Sequence, residues 1–262
     1  MAFDFTSSFS EYLSEKKYLN KELLNNTDNQ PPQATTIVAI VYKDGVLMAG
    51  DRRATIGNLV AQNDIEKVFP ADNESIIGIA GSAGIALELV KLFQVELEHY
   101  EKIEGTQLSV VGKANRLSVL LRGNLGLAFQ GLAAIPLFAA FDKDLNKGRV
   151  FSYDVTGGRY EEHDYYAVGS GSIFAKSSLK KMYSENLDEQ TAIRISLESL
   201  YDAAEEDSAT AGIDLTREIY PVVSIVNAEG YKRINDSKLN EIATKIFSER
   251  KNRPDGPIAR MS

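Results

Sequence analysis

Thr35, Asp51 and Lys67 fall at equal steps of sixteen residues along the chain. Thr35 opens a β-branched run, "TTIVAIVY", Asp51 closes "VLMAGD", and Lys67 lies inside "IEKVF". A hydroxyl, a carboxylate and an ammonium are residue types that can take part in nucleophilic chemistry. If the three strands are neighbours, these side chains meet at one end of a sheet. Each also has an ordinary structural reading: threonine is frequent in strands, the Asp of "GDRR" suits a turn, and a lysine suits an edge strand. The chain has no cysteine and only two histidines, His99 in "VELEHYEK" and His163 in "YEEHDYY", both read as surface or half-buried positions. A thiol nucleophile, a thiolate or His-rich metal site and a His-based triad therefore lack material, and any nucleophile must find its base elsewhere.

Two glycine turns and one polar helix end add candidates. "GIAGSAG" puts Gly81 between a strand and a helix start, where free backbone N–H groups can hold negative charge; it also reads as a plain strand-to-helix turn. "VGSGS" places Ser170 in a second such turn, without the Gly-Lys-Ser/Thr of a phosphate loop. "EEDSATAG" ends a helix with Asp207, Ser208 and Thr210.

The elements that must position these residues read as runs of strands alternating with helices. "TTIVAIVY", the turn "KDG" and "VLMAGD" form a hairpin. "IEKVF" and "SIIGIAG" give two more strands. A buried helix runs from Ser82 to about Ile103, and a second covers 106–132, with Gly123, Gly126 and Gly131 near its end. Strands follow at "LFAAFD", "GRVFSYD" and "YYAVGS", helices at "SIFAKSSLKKMY" and "DEQTAIRISLESLYDAAEED", then the strand "YPVVSIVN" and a last helix, "DSKLNEIATKIFSERK". The order predicts an α+β fold with helices packed on sheets rather than a βαβ repeat. A disordered tail is expected from about residue 251. Ahead of Thr35, a weakly amphipathic helix over 5–24 and the linker "NNTDNQPPQ" read as an appendage. One reading of this break makes Thr35 the start of the working protein, exposed when residues 1–34 are cut off.

The composition, 262 residues with 44% hydrophobic and 25% charged, suits one sizeable core. A net charge of -8 argues against nonspecific nucleic-acid binding. The N-terminus lacks the basic start and apolar run of a signal peptide, and no window approaches the ~18 apolar residues of a membrane span. A cytoplasmic protein without membrane attachment is the expectation.

The motifs "TTIVA", "GDRRAT", "EKVF", "GIAGSAG", "AVGSGS" and "DSATAG", in this order and spacing, resemble the proteasome β subunits. "VELEHYEK", "RGNLGLAFQG", "GSGSIFAKSSLKKMY" and "LYDAAEEDSAT" resemble the bacterial type, and the resemblance covers about residues 35–250. It implies the four-layer αββα sandwich of the N-terminal nucleophile hydrolases, two sheets between two pairs of helices. It implies a propeptide over 1–34, removed by autoprocessing between Ala34 and Thr35, and a single catalytic domain over 35–262. Alanine at 34 departs from the glycine usual in the family, and its Cβ restricts the tight turn that self-cleavage needs.

The resemblance further implies Thr35 as nucleophile, its own α-amino group as base, Lys67 beside the hydroxyl and Asp51 paired with Lys67. Gly81 N–H would bind the oxyanion, and Ser170, Asp207 and Thr210 would hold the N-terminal threonine. An extended substrate would lie along Thr55 and Gly81. The side chain before the cut would enter a pocket of Ala54, Ile65, Phe69, Ile79 and Ala83, all apolar, which predicts cleavage after hydrophobic residues. No metal or cofactor is implied. The implied partners are β subunits in seven-membered rings, α subunits completing a 28-subunit barrel, a regulatory ATPase ring acting through the α ring, and unfolded protein substrates. Two other readings stay open: a different N-terminal nucleophile amidohydrolase acting on a small amide, and a noncatalytic ring subunit.

Overall fold

The β-branched run after Thr35 forms β1 (Thr36–Tyr42), and the Lys43–Asp44 turn returns the chain as β2 (Gly45–Gly50). The computed structural model describes residues 35–56 and 59–258. The expected propeptide and the Ala34 side of the expected cleavage site lie outside the described residues. β1 and β2 sit inside a five-stranded sheet ordered β10-β1-β2-β11-β12, where β10 is Tyr165–Gly169, β11 Val222–Asn227 and β12 Gly230–Arg233. A second five-stranded sheet runs in chain order through β5 (Val68–Asp72), β6 (Ser75–Gly81), β7 (Ala134–Asp142), β8 (Lys147–Tyr153) and β9 (Arg159–Glu162). Every pairing is antiparallel.

Both faces of the central strands are apolar, so each sheet is covered twice. On β1, Ile37 and Ala39 meet Val68, Ile76 and Leu137 between the sheets. Val38 and Ile40, on the opposite face, pack with Leu179, Leu197 and Ile242. Those three belong to α4 (Ser172–Met182), α5 (Glu189–Glu206) and α6 (Asp236–Asn252). The outer face of the second sheet carries α1 (Ala83–Glu104) and α2 (Val110–Gly123), whose Phe93 and Leu117 pack with Ile77, Phe138 and Phe151. Burying each such side chain contributes roughly 1.5–3 kcal/mol. The result is the α+β four-layer αββα sandwich, with α6 joining α4 and α5 on one outer layer.

Several elements differ from expectation. The helix expected over 106–132 starts at Val110, capped by Ser109 accepting Gly112 N–H at 3.1 Å, and stops at Gly123. A single turn, α3 (Leu125–Ala128), follows. Gly123, Gly126 and Gly131 explain the break, since each glycine costs a helix about 1 kcal/mol relative to alanine. A short hairpin, β3 (Ala54–Ile56) with β4 (Leu59–Gln62), lies between Asp51 and Lys67. Its base is closed by Ile65 N–H donating to Arg52 O at 3.1 Å and by Arg52 Nη2 donating to Asp64 O at 2.7 Å. Lys67 therefore precedes the fifth strand instead of sitting within the third.

Residues 251–258 belong to the stretch read from the sequence as a tail. α6 runs to Asn252 because the buried Arg250 guanidinium bonds Glu198 and Asp202 and donates to Pro254 O at 2.9 Å, drawing the following segment against the helix. Among the described residues no helix is long and apolar enough to cross a membrane, and no group of three or more His, Asp or Glu could hold a metal ion.

Candidate active site

Strand register brings the three evenly spaced residues together. Thr35 lies one residue before β1 and Asp51 one residue after β2, and Ile37 pairs with Gly50, so the two ends meet: Asp51 N–H donates to Thr36 O at 3.1 Å. Lys67 lies one residue before β5 and is tied to β6 by Ile79 N–H donating to Lys67 O at 3.0 Å. Lys67 Nζ donates to Asp51 Oδ1 at 2.7 Å and to Arg53 O at 2.6 Å.

Asp51 is saturated. Its Oδ1 also accepts Thr36 N–H at 2.8 Å, and its Oδ2 accepts Arg53 N–H and Ala211 N–H, both at 2.9 Å. Thr35, Asp51 and Lys67 are all at most 5% exposed. A buried carboxylate with four donors is the form in which such a charge is tolerated. Burial pushes the Lys67 ammonium below its usual pKa, and the charge of Asp51 opposes that shift.

A second group holds the backbone of Thr35. Ser170 N–H donates to Thr35 O at 2.9 Å, and Ser170 Oγ lies 3.4 Å from the same oxygen. Ser170 Oγ donates to Asp207 Oδ2 at 2.5 Å, and Thr210 Oγ1 donates to that oxygen at 2.6 Å. Asp207 follows the last residue of α5, and its Oδ1 accepts Ala209 N–H at 3.1 Å, which shapes the 207–210 loop. Gly169 makes the approach possible: its φ is +102°, and a Cβ there would sit 1.8 Å from Thr35 O.

Thr35, Lys67 and Gly81 line one cleft with Ala54, Ile65, Phe69, Ile79 and Ala83. Gly81 closes β6 at φ +115°, where a Cβ would meet Ala133 O at 2.2 Å. Thr55 sits beside Ala54 in β3, half-buried, but does not line this cleft.

Sequence reasoning missed Glu66, Ala86 and Leu87, which also line it. Ala83, Ala86 and Leu87 stand at i, i+3 and i+4 on α1, so helical spacing from Ala83 could have found the other two. Glu66 corrects the expectation of a wholly apolar lining, although its carboxylate is paired with Arg233 of β12 at 2.7 Å. Arg53 was also missed; its Nη1 donates to Ser208 O at 3.0 Å and Thr210 O at 3.3 Å, tying the 207–210 loop to the segment after Asp51.

Residues 32–215 match the family model for proteasome subunits. The proteasome subunit beta of Streptomyces griseus subsp. griseus is 52% identical over 97% of this chain and 92% of its own length. The chain belongs to the proteasome β-subunit family. The proteasome subunit beta of Acidothermus cellulolyticus is 54% identical, over 97% of this chain and 90% of its own length. Membership of the proteasome β-subunit family makes the chain a β subunit of the proteasome core, a protein-hydrolysing assembly built with other proteasome subunits. It also accounts for the αββα sandwich.

Proposed function

We propose that the chain is a threonine endopeptidase whose nucleophile is Thr35, made active when residues 1–34 are removed. The observation that carries this reading is the buried Lys67–Asp51 pair standing with Thr35 at one cleft. Thr35 Oγ attacks the scissile carbonyl, and its proton passes to the freed α-amino group and then to the leaving amine. Water next attacks the acyl ester, one of its protons passing through the α-amino group of Thr35 to Thr35 Oγ as the ester C–O bond breaks, and the acid leaves to solution. An α-amino group titrates at about 7.7–8.0 and suits this traffic near neutral pH, with no histidine needed. Lys67 stabilises the alkoxide as it forms, and Asp51 holds Lys67 in place. A Gly81 N–H donor to the tetrahedral oxyanion contributes about 3–4 kcal/mol. Ser170, Asp207 and Thr210 fix the position of Thr35.

The same hydroxyl explains maturation, with water carrying the proton because the Thr35 nitrogen is still bound in the peptide. Thr35 Oγ attacks the carbonyl of Ala34, the acyl group shifts from nitrogen to oxygen, and hydrolysis of the ester frees both ends. The substrate runs along Thr55 and Gly81 as an extended strand. Cleavage follows hydrophobic residues, because burying an apolar side chain among Ala54, Ile79 and Ala83 is favourable while an unpaired charge there is costly.

In this reading the β subunits form seven-membered rings inside a 28-subunit cytoplasmic barrel with α subunits, fed with unfolded protein by an ATPase ring. The test is coexpression with the cognate α subunit, followed by intact mass, N-terminal sequencing and peptide hydrolysis. The expected N-terminus is Thr35. Thr35→Ala and Lys67→Ala particles should assemble, keep residues 1–34 and lack activity; wild-type activity in Thr35→Ala refutes the assignment.

A further inference from the structure

The reaction scheme above makes no use of Thr36, yet this residue joins the two halves of the site. It is fully buried. Its N–H donates to Asp51 Oδ1, the oxygen that also accepts Lys67 Nζ. Its hydroxyl reaches the other half: Gly171 N–H donates to Thr36 Oγ1 at 3.0 Å, and Thr210 Oγ1 lies 2.6 Å away. Proton counting sets the direction. A hydroxyl has one proton to give, and that of Thr210 is directed at Asp207 Oδ2. Thr36 must therefore be the donor to Thr210. The row runs from Gly171 N–H through Thr36 and Thr210 to Asp207, where Ser170 donates from the other side. The space is tight, since a Cβ on Gly171 would stand 2.6 Å from Thr36 Oγ1 and 2.8 Å from Thr210 Oγ1.

We propose that Thr36 is a positioning residue for the Thr35 reaction: its hydroxyl locks the peptide carrying Thr35 between the Lys67–Asp51 pair and the Ser170–Asp207–Thr210 group. The inference rests on Thr35 being the nucleophile. Without the hydroxyl, the buried Gly171 N–H loses its acceptor and Thr210 loses its donor, and the site pays by loosening where a shift of a fraction of an ångström matters. The cleft lining does not include Thr36, so the effect falls on turnover and leaves substrate binding in place.

The experiment compares Thr36→Ser with Thr36→Ala in the coexpressed particle, with Thr35→Ala alongside. Serine and alanine both lose the threonine methyl, so the pair differs only in the hydroxyl. Thr36→Ala should lower kcat about tenfold or more, with KM within about twofold of wild type, while Thr36→Ser stays within about threefold in kcat. If Thr36→Ala does not assemble, Thr36→Cys takes its place; its thiol donates weakly, so its kcat should fall well below that of Thr36→Ser. Equal kcat for the serine variant and the variant lacking a strong donor overturns the inference, as does wild-type turnover in Thr36→Ala beside an inactive Thr35→Ala. Activity in Thr35→Ala overturns the nucleophile assignment itself, and this inference with it.

Discussion

Ser170 grips Thr35 by its carbonyl, with the amide of one donating to the oxygen of the other at 2.9 Å. The grip depends on the preceding residue, Gly169, which must leave that oxygen uncovered. Gly169→Ala places a methyl against it and forces alanine to a positive φ, a strain of about 1–2 kcal/mol before the clash is counted. The expected result is loss of both maturation and peptide hydrolysis. N-terminal sequencing and a fluorogenic assay check it, and a normally processed, active variant contradicts the role given to Ser170.

The Lys67–Asp51 pair makes a prediction about stability. Asp51→Asn leaves a buried ammonium without its counter-charge, which typically costs about 3–5 kcal/mol. The variant should melt several degrees below wild type and be inactive. Replacing both partners, Asp51→Asn with Lys67→Met, removes the stranded charge and should recover part of the lost melting temperature without recovering activity. A double variant no more stable than Asp51→Asn argues that packing, not charge, sets the effect.

A pH dependence follows from the lowered pKa of Lys67. Burial is the larger cause, and Asp51 acts against it. The ammonium is the working form, so activity falls as pH rises through the lowered value. The alkaline limb of the kcat/KM profile is thus expected below pH 10.5, the ordinary lysine value. For stability the sign runs the other way. The unfolded chain keeps this proton up to the ordinary value while the folded chain releases it sooner, so this group's penalty is complete below the folded pKa and is relieved between the two. An alkaline limb at or above pH 10.5 that Lys67→Arg leaves unmoved would remove Lys67 from the reaction.

Specificity is open to a peptide panel varying the residue before the cut. Leu, Phe and Tyr should exceed Arg and Asp by about tenfold or more in kcat/KM, from the ~1.5–3 kcal/mol of burying such a side chain. Ala83→Phe, which fills the lining at the first residue of α1, should shift preference toward small side chains. A wild-type preference for Asp sinks the pocket assignment; a preference for Arg would mean that Glu66 turns from Arg233 to the substrate.

The sequence made the site more legible than the frame around it. Thr35 and Asp51 could be singled out because each sits one residue outside a strongly apolar strand, whereas Lys67, expected inside a strand, stands one residue before one. The β3–β4 hairpin escaped because its strands are three and four residues long, too short for a period to register. β12 escaped because "GYKR" has little apolar content to mark it. Arg53 and Thr36 act through backbone groups distant in the chain, on Ser208, Thr210 and Gly171, and such pairings have no local signature. The contacts of Arg250 escaped because its partner is Glu198, on another helix.

The closed base of the β3–β4 hairpin has a consequence for how this molecule can change. Arg52 and Ile65 are stitched together beneath the excursion, and Arg53, just past the stitch, binds both Asp51 and Lys67, so the pair meets whatever lies at the hairpin's outer end. Ile56, Leu59 and Val60, all more than 45% exposed, lie at that end. Residues there can drift, lengthen or acquire new contacts without transmitting strain to the lysine and the aspartate. The chemistry and the hairpin's outer end share one short stretch of chain, yet selection can act on each almost independently.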